Sequence, residues 1–202
     1  MRFTALLLTF SLLGACSVLP TAEPTDVYLL PRGDQAPAST GAPFAGSIRI
    51  VKPQASQTLD STNIAVAPKG ALLSTYKGAR WSDPSPALLR NRLLDVFQSD
   101  GRIAALSSDD DNLRADFELG GVLQAFQSQY TAKGVEIVVR FDARLVDSRQ
   151  KIIASKRFEI HQPAAGTDVP SVVAAFGKAS DLLGSQLLGW SLEQARLQPK
   201  NQ

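Results

Sequence analysis

The sequence contains a single cysteine, Cys16, and a single histidine, His161, among 202 residues. One cysteine allows no disulfide within the chain, and the two residues together are too few for a zinc centre of the usual Cys/His type. A nucleophile paired with histidine could use only His161, and no serine lies in a G-x-S-x-G turn. We therefore expect no catalytic residues, no metal site and no cofactor, and we interpret His161 as a surface residue at the end of a strand.

A strong charge of either sign is also lacking. The 21 lysines and arginines against 19 acidic residues give a net charge of +2, no basic run occurs, and aromatic residues make up 7%. Nucleic-acid-binding proteins usually carry a basic patch, so we expect no nucleic-acid partner. No hydrophobic run reaches the ~18 residues that a membrane-spanning helix needs.

Two short motifs fail as ligand-binding sites. Residues 109–111 are three consecutive aspartates, but the spacing of a calcium-binding loop would place Leu113 at a ligand position. A solvated turn is therefore favoured over a calcium site. The pair Gly120 and Gly121 lacks the lysine and the following helix of a phosphate-binding loop, and it predicts a β-bulge instead.

The beginning of the chain is its most informative part. Arg2 precedes an apolar run over residues 4–13, and residues 13–16 read Leu-Gly-Ala-Cys. A basic residue, a short apolar run and small residues are typical of a secretory signal peptide. Residues 13–16 are similar to the bacterial lipobox, in which the cysteine is diacylated and becomes the new N-terminus. We expect removal of residues 1–15 and stable anchoring by lipid on Cys16.

The sorting of the lipoprotein is predicted from its next residue. Ser17, and not aspartate, follows Cys16, which in lipoproteins of this type favours delivery to the outer membrane. The alternative is an ordinary secreted protein with a coincidental cysteine, although a free thiol is unusual in an oxidising compartment. We expect a lipid anchor in the outer membrane of a Gram-negative envelope, with the protein facing the periplasm.

Alternating apolar residues predict a sheet within one folded domain. The clearest strand covers residues 135–145, where every second residue is apolar and most of the residues between are charged. Short turns join it to its neighbours, which predicts an antiparallel meander, and a Pro-Lys-Gly turn predicts an earlier hairpin. The other predicted strands are 27–30, 47–51, 63–67, 71–76, 79–82, 117–126 and 152–160.

Two helices complete the predicted fold. The first has a cap at Asp83 or Ser85 and ends at Gly101. It has a single apolar face, and Arg90 lies on the opposite, polar face. The second begins at Thr167 or Asp168, and its apolar stripe ends at Trp190. The prediction is an α+β single domain with a mainly antiparallel sheet packed by two main helices, one mid-chain and one C-terminal. A lipidated linker covers residues 16–45, the domain 46–193 and a polar tail 194–202.

The chain resembles a known family in the order of several segments. Tyr-Leu-Leu, Ile-Arg-Ile, Leu-Leu-Ser-Thr-Tyr, Ala-Arg-Trp-Ser-Asp-Pro and Val-Val-Ala-Ala-Phe follow the lipobox at residues 28–30, 48–50, 72–76, 79–84 and 172–176. This order resembles the ABC-type transport auxiliary lipoprotein family, the group that includes the paraquat-inducible lipoprotein of intermembrane transport systems. The sequence departs from it at Thr75, where members often carry a second aromatic residue beside Tyr76.

The resemblance implies a non-enzymatic auxiliary subunit of an intermembrane lipid transport system. Its implied partners are a substrate-binding protein with a mammalian cell entry (MCE) domain, the membrane that holds its lipid and, as cargo, phospholipid. Arg80, Trp81 and Tyr76 are candidate partner-binding residues. Trp81 has two interpretations, a core residue with a hydrogen-bonded indole or the anchor of an interface.

Three further hypotheses remain open. A homo-oligomer is suggested by exposed strand edges and by the small residues Gly177, Gly184 and Gly189 in the last helix. An envelope-assembly or structural lipoprotein that binds proteins without handling lipid is the main alternative function. A lipid-anchored hydrolase is the other, and the lack of candidate catalytic residues disfavours it.

Overall fold

The computed structural model describes residues 24–33 and 39–198. The predicted signal peptide, Cys16, Ser17 and the last four residues of the predicted tail lie outside this described part. Within it are nine strands and two helices: β1 Asp26–Tyr28, β2 Phe44–Ile50, β3 Gln54–Ala55, β4 Asn63–Lys69, β5 Leu72–Trp81, α1 Ser85–Asp100, β6 Ile103–Ser108, β7 Phe117–Thr131, β8 Gly134–Asp147, β9 Ile152–Pro163 and α2 Val169–Arg196.

The sheet is built around β7, a strand of 15 residues. Along one edge β7 pairs antiparallel with β8, and β8 pairs antiparallel with β9. Along its other edge three short strands, β2, β3 and β4, pair with β7 one after another, all of them parallel to it. The predicted meander is therefore confirmed, whereas the parallel strands beside it are an addition that the sequence did not predict.

Three further pairings complete the sheet. β4 and β5 form the predicted antiparallel hairpin, and β6 pairs parallel with β2 at one border. β1 pairs parallel with the last three residues of β5. The two pieces predicted at residues 71–76 and 79–82 are one strand with a bulge, where Gly78 adopts a positive φ of 68° that favours glycine.

The α+β single domain with two main helices, one mid-chain and one C-terminal, is confirmed. The inner face of β8 supplies six consecutive alternate residues to the core, as the sequence predicts, and α2 lies against β8 and β9. Each buried aliphatic side chain contributes ~1.5–3 kcal/mol relative to an exposed one. The stripe of α2 is buried from Val172 to Trp190, and its helix continues to Arg196, so the first residues of the predicted tail are helical.

The ends of the helices confirm some predictions and correct others. Asp168 caps α2, since its side chain accepts a hydrogen bond from the backbone N–H of Ser171, and Gly101 ends α1 with φ of 78°. The predicted cap of α1 at Asp83 or Ser85 is wrong. Its cap position is Pro84, with no hydrogen bond from a side chain, and Ser85 is the first helical residue.

The predicted bulge in β7 is displaced along the strand. Gly120 and Gly121 pair regularly with β8, and the register shifts between Leu123 and Ala125. The shift explains why Leu123 and Phe126, which differ in parity, both face the core. The apolar pattern therefore indicated a bulge correctly, but the glycines marked the wrong position for it. On β9, Ile152 is the first residue of the strand and its side chain is exposed.

Candidate partner-binding surfaces

Trp81 lies in the core and not at the surface. Its side chain is 0% exposed, and its ring packs edge-on against Phe176 at 5.3 Å and beside Phe126 at 6.2 Å between centroids. The position of Trp81 therefore supports the core interpretation. The expected hydrogen bond of the indole is not seen, since Nε1 has no hydrogen-bond partner within the described part of the chain. Such aromatic pairs contribute ~0.5–1.5 kcal/mol each beyond the burial of area.

Tyr76 is half-buried where β5 bulges. Its hydroxyl lies 2.9 Å from the Oγ of Ser128, a fully buried residue of β7. Burial raises the pKa of the Tyr76 phenol, which keeps it neutral and able to donate to Ser128. Tyr76 thus joins the hairpin to the central strand, and only part of its ring is available for a partner.

Arg80 is the exposed member of the three candidates. Within the described residues its side chain makes only one hydrogen bond, a long one of 3.3 Å that Nη1 donates to the carbonyl oxygen of Trp81. In the parallel ladder Arg80 lies opposite Val27 of β1, whose side chain is 51% exposed. Leu29, the residue that follows β1, is 73% exposed. We name Val27, Leu29 and Arg80 the β1 edge. A cation beside two exposed aliphatic side chains suits a protein contact.

The glycines of α2 are used inside the chain. A Cβ on Gly177 would lie 2.5 Å from the carbonyl oxygen of Pro31, and one on Gly184 would lie 3.0–3.2 Å from Val96 of α1. Gly189 has no atom within 4 Å of such a Cβ. Two of the three glycines therefore serve the close approach of the N-terminal segment and of α1, which removes them as evidence for an oligomer.

A network around Asp181 fastens the N-terminal segment to α2. Its Oδ2 accepts a hydrogen bond of 2.8 Å from the backbone N–H of Gly33, and its Oδ1 binds the guanidinium of Arg92 on α1. Arg92 is buried, although the pattern of α1 gave no reason to expect it. Arg32 adds an exposed ion pair of 3.1 Å with Asp95.

A second buried arginine binds the acidic cluster at residues 109–111. Arg90, predicted to face solvent, is buried and lies 2.7 Å from both Asp109 and Asp110. Burial works against its charge, but the hydrogen bonds to the two carboxylates outweigh it and raise the pKa of Arg90. Asp111 accepts hydrogen bonds from the N–H and hydroxyl of Ser108. The carboxylates of this turn are thus engaged by the protein itself.

His161 lies on an exposed ladder of charged side chains across β8 and β9. Its Nε2 is 3.0 Å from Glu159 and its Nδ1 is 3.4 Å from Glu136. The hydrogen bond with Glu159 raises the pKa of His161 against the effect of partial burial, and Glu136 adds to the rise. Glu159 also binds Arg140 through two hydrogen bonds of 2.8 Å, and these, with His161, lower the pKa of Glu159 to about 2.

A cleft of about 620 Å³ opens at the end of the sheet where β2 and β7 begin. The rings of Phe44 and Phe117 pack at 6.1 Å on its wall, and Asp116 and Asp147 also line it. Asp116 accepts hydrogen bonds from the N–H and hydroxyl of Ser47. The cleft holds both apolar and charged groups. Within residues 24–33 and 39–198, no three His, Cys, Asp or Glu side chains are arranged to hold a metal ion.

The comparison with protein families shows which family the chain belongs to. The model for the ABC-type transport auxiliary lipoprotein component matches residues 28–187. The chain belongs to this family. It is thus a transport-associated lipoprotein of the cell envelope, and the family is one of auxiliary transport components and not of enzymes.

The auxiliary lipoprotein is also similar to individual proteins and solved structures. It is similar to the crystal structure of protein XCC0632 from Xanthomonas campestris, with a TM-score of 0.78 and 27% identity, covering 85% of this chain and 97% of that one. A second crystal structure, of an uncharacterized protein, shares the fold at 12% identity and a TM-score of 0.66, covering 83% and 99%. Uncharacterized protein bll6063 of Bradyrhizobium diazoefficiens is 26% identical over 149 residues, 74% of this chain. The auxiliary lipoprotein spans only 40% of that relative's length.

Sequence reasoning missed several exposed features of the auxiliary lipoprotein. Val27 and Leu29 were assigned to a short strand, without the prediction that their side chains lie beside Arg80. The cleft was not predicted, because it joins segments far apart in the chain. Neither helix in the described part is both long and apolar enough to cross a membrane.

Proposed function

We propose that residues 1–15 are removed, that lipid on Cys16 anchors the protein in the outer membrane, and that its periplasmic domain docks the MCE-domain substrate-binding protein of an ABC-type intermembrane lipid transporter. The match of the transport auxiliary family over residues 28–187 carries this proposal. The protein acts by binding and positioning, without catalysis.

The β1 edge is the surface that we assign to the partner. Arginine is favoured at protein contacts, and a partner can bury the exposed apolar side chains of Val27 and Leu29. Arg80 is not held by any ion pair of the described residues. Trp81 supports this surface from behind as a packed core residue, and Tyr76 fixes the bulge of β5 through Ser128. A lipid anchor raises the effective concentration of the surface at the membrane, so that a weak contact suffices.

The test is a purification from the native envelope in mild detergent, using the tagged and acylated protein. Mass spectrometry of co-purifying proteins and lipids should identify an MCE-domain protein and enriched phospholipid. Arg80→Glu should reduce recovery of the MCE-domain protein at least fivefold, whereas Arg144→Glu, at an exposed arginine of β8, should leave it unchanged. Recovery of unrelated envelope proteins alone would favour the envelope-assembly alternative, and labelling by a serine-reactive probe would revive the hydrolase.

Outer-membrane sorting has a separate test. Sucrose-gradient fractions of the envelope should contain the protein with outer-membrane markers, and Ser17→Asp should move it to inner-membrane fractions. Cys16→Ala should abolish acylation and release the protein from both membranes. An unchanged distribution of the Ser17 variant would contradict this sorting.

A homo-oligomer is part of the proposal. It is supported by the free edges of β6 and β9, each of which pairs with one strand only in the described part. Native mass spectrometry of the detergent-solubilised protein, with and without the MCE-domain partner, should give a multiple of the protomer mass. A protomer mass under both conditions would overturn this part.

A further inference from the structure

Two turns of the sheet lie side by side at one end of the molecule. β4 and β7 are parallel, with Ala67 opposite Gln129, and each returns through a tight hairpin into the next strand. The last pairs before the turns are Lys69 with Leu72 and Thr131 with Gly134. We name these two turns, residues 69–72 and 131–134, together with the adjoining Tyr130, the turn end.

The turn end exposes apolar and aromatic groups that the core leaves unused. Leu72 is 60% exposed and Tyr130 is 51% exposed. Tyr130 also lies near Tyr76, whose pKa it helps to raise. An aliphatic side chain with tyrosines beside it is the composition found at the boundary between lipid headgroups and acyl chains, where an amphipathic ring can bury one end and keep the other hydrated.

The charged side chains of the turn end have one sign. Lys69 and Lys133 are exposed, and none of the ion pairs formed by the described residues includes them. Residues 68–78 and 130–135 contain no aspartate or glutamate. The cleft at the opposite end of the sheet, in contrast, is lined by charges of both signs: Asp116, Asp147, Arg149, Lys151 and Arg196. The turn end is thus complementary to anionic phosphate headgroups.

The N-terminal part of the chain is directed to the same end. β1 is parallel to β5 and pairs with its last three residues, so the chain enters β1 from the side of the turn end, and the carbonyl oxygen of Pro24 lies 4.0 Å from the Cβ position of Gly78. Cys16 precedes Pro24 by eight residues, which span up to ~28 Å. Six residues of strand separate Gly78 from Leu72, about 20 Å. A lipid on Cys16 can therefore reach a membrane that touches Leu72.

We propose that the turn end rests on the membrane that holds the acylated Cys16, with Leu72 and Tyr130 at the headgroup boundary and Lys69 and Lys133 against anionic headgroups. This inference rests on the lipid anchoring in the proposed function. It adds an orientation, in which the cleft beside Phe44 and Phe117 points away from the bilayer. Each lysine near an anionic surface strengthens contact by roughly fivefold, so the two together reach roughly 25-fold.

The test uses the full acylated protein in vesicles of phosphatidylethanolamine and phosphatidylglycerol. A polarity-sensitive fluorophore is placed on Leu72→Cys or Tyr130→Cys, and on Ser148→Cys in the β8–β9 turn as the control. Cys16 is the only native cysteine and its sulfur is acylated, so the fluorophore reacts with the new thiol alone. Quenchers on the lipid headgroups should quench the fluorophore at positions 72 and 130 and not at position 148.

Charge-reversed variants separate contact from tethering. Lys69→Glu and Lys133→Glu together should lower the quenching at position 72 in anionic vesicles toward its value in phosphatidylcholine vesicles. The matched double variant, Arg144→Glu and Lys151→Glu, should not. Protein that floats with vesicles but is quenched equally at positions 72 and 148 overturns the orientation and leaves the anchor intact. Protein that fails to float, or that takes up the fluorophore at Cys16, overturns the anchor and the orientation together.

Discussion

The backbone N–H of Gly33 donates a hydrogen bond of 2.8 Å to Asp181 in the middle of α2, 148 positions later in the chain. The same carboxylate binds the buried Arg92 of α1. One side chain therefore holds together the N-terminal segment and both helices.

Replacing Asp181 by alanine should destabilise the domain strongly, because it leaves the charge of Arg92 buried without its main partner. We expect a loss near the lower end of the ~3–5 kcal/mol typical of broken buried pairs, since Asp95 lies 3.6 Å away and compensates in part. Urea unfolding followed by circular dichroism measures the change. Asp95→Ala removes the exposed ion pair with Arg32 and the longer contact with Arg92, which keeps Asp181 as its main partner, and should cost at most ~1 kcal/mol. Equal losses in the two variants would contradict this assignment.

Two glycines of α2 should respond to alanine with opposite signs. Gly177→Ala forces a methyl group against the carbonyl oxygen of Pro31 and should cost ~1–3 kcal/mol as the segment is displaced. Gly189→Ala meets no atom within 4 Å and should stabilise the helix by up to ~1 kcal/mol. The midpoints of urea unfolding, compared at equal slopes, distinguish the two. A stabilising Gly177 variant would show that Pro31 does not lie against α2.

Alanine substitutions of Trp81 and Arg80 should differ strongly in their effect on the stability of the domain. Trp81→Ala opens a cavity between Phe126 and Phe176 and should cost ~3–5 kcal/mol. Arg80→Ala should change the free energy of unfolding by less than ~0.5 kcal/mol, since its side chain is exposed. Thermal unfolding of the two variants provides the comparison. If Arg80→Ala unfolded as readily as Trp81→Ala, the role of Arg80 would be structural.

His161 should titrate above the ordinary histidine pKa of ~6.5, because protonation is favoured by Glu159 and Glu136. A pKa raised on folding stabilises the protein fully below the unfolded value, and this contribution is lost as pH rises through the folded pKa. The difference in stability between the native protein and His161→Gln should thus be largest below pH ~6.5 and decline above it. As the only histidine, His161 gives one titrating imidazole resonance in NMR, and a midpoint at or below ~6.5 would refute the expectation.

Alternation along the chain was sufficient to predict the meander, since a half-buried antiparallel strand shows its two faces in every second residue. It could not predict that β2, β3 and β4 share one edge of β7, because parallel pairing joins distant segments and leaves no local signal for register. The strands β3 and β6, of two and six residues, were missed for the same reason.

The buried arginines show why the surfaces were harder to predict than the fold. Arg90 was expected on a solvated helix face and nothing was predicted for Arg92, because their carboxylate partners lie 19 and 89 positions later. Only the tertiary structure brings these charges together. Likewise, Arg80 was selected from a sequence phrase, but the aliphatic neighbours that make it a contact surface come from β1.

The arrangement of β7 also determines when the protein can fold. β4 pairs with β5 and β2 with β6, but both strands, and β3 with them, also need partners in residues 117–129, so in a chain made from its N-terminus the sheet stays open until β7 has followed. Contacts between segments so far apart form slowly, because the intervening loop must close first. The sheet of the auxiliary lipoprotein therefore closes late, around a strand made in the second half of its synthesis.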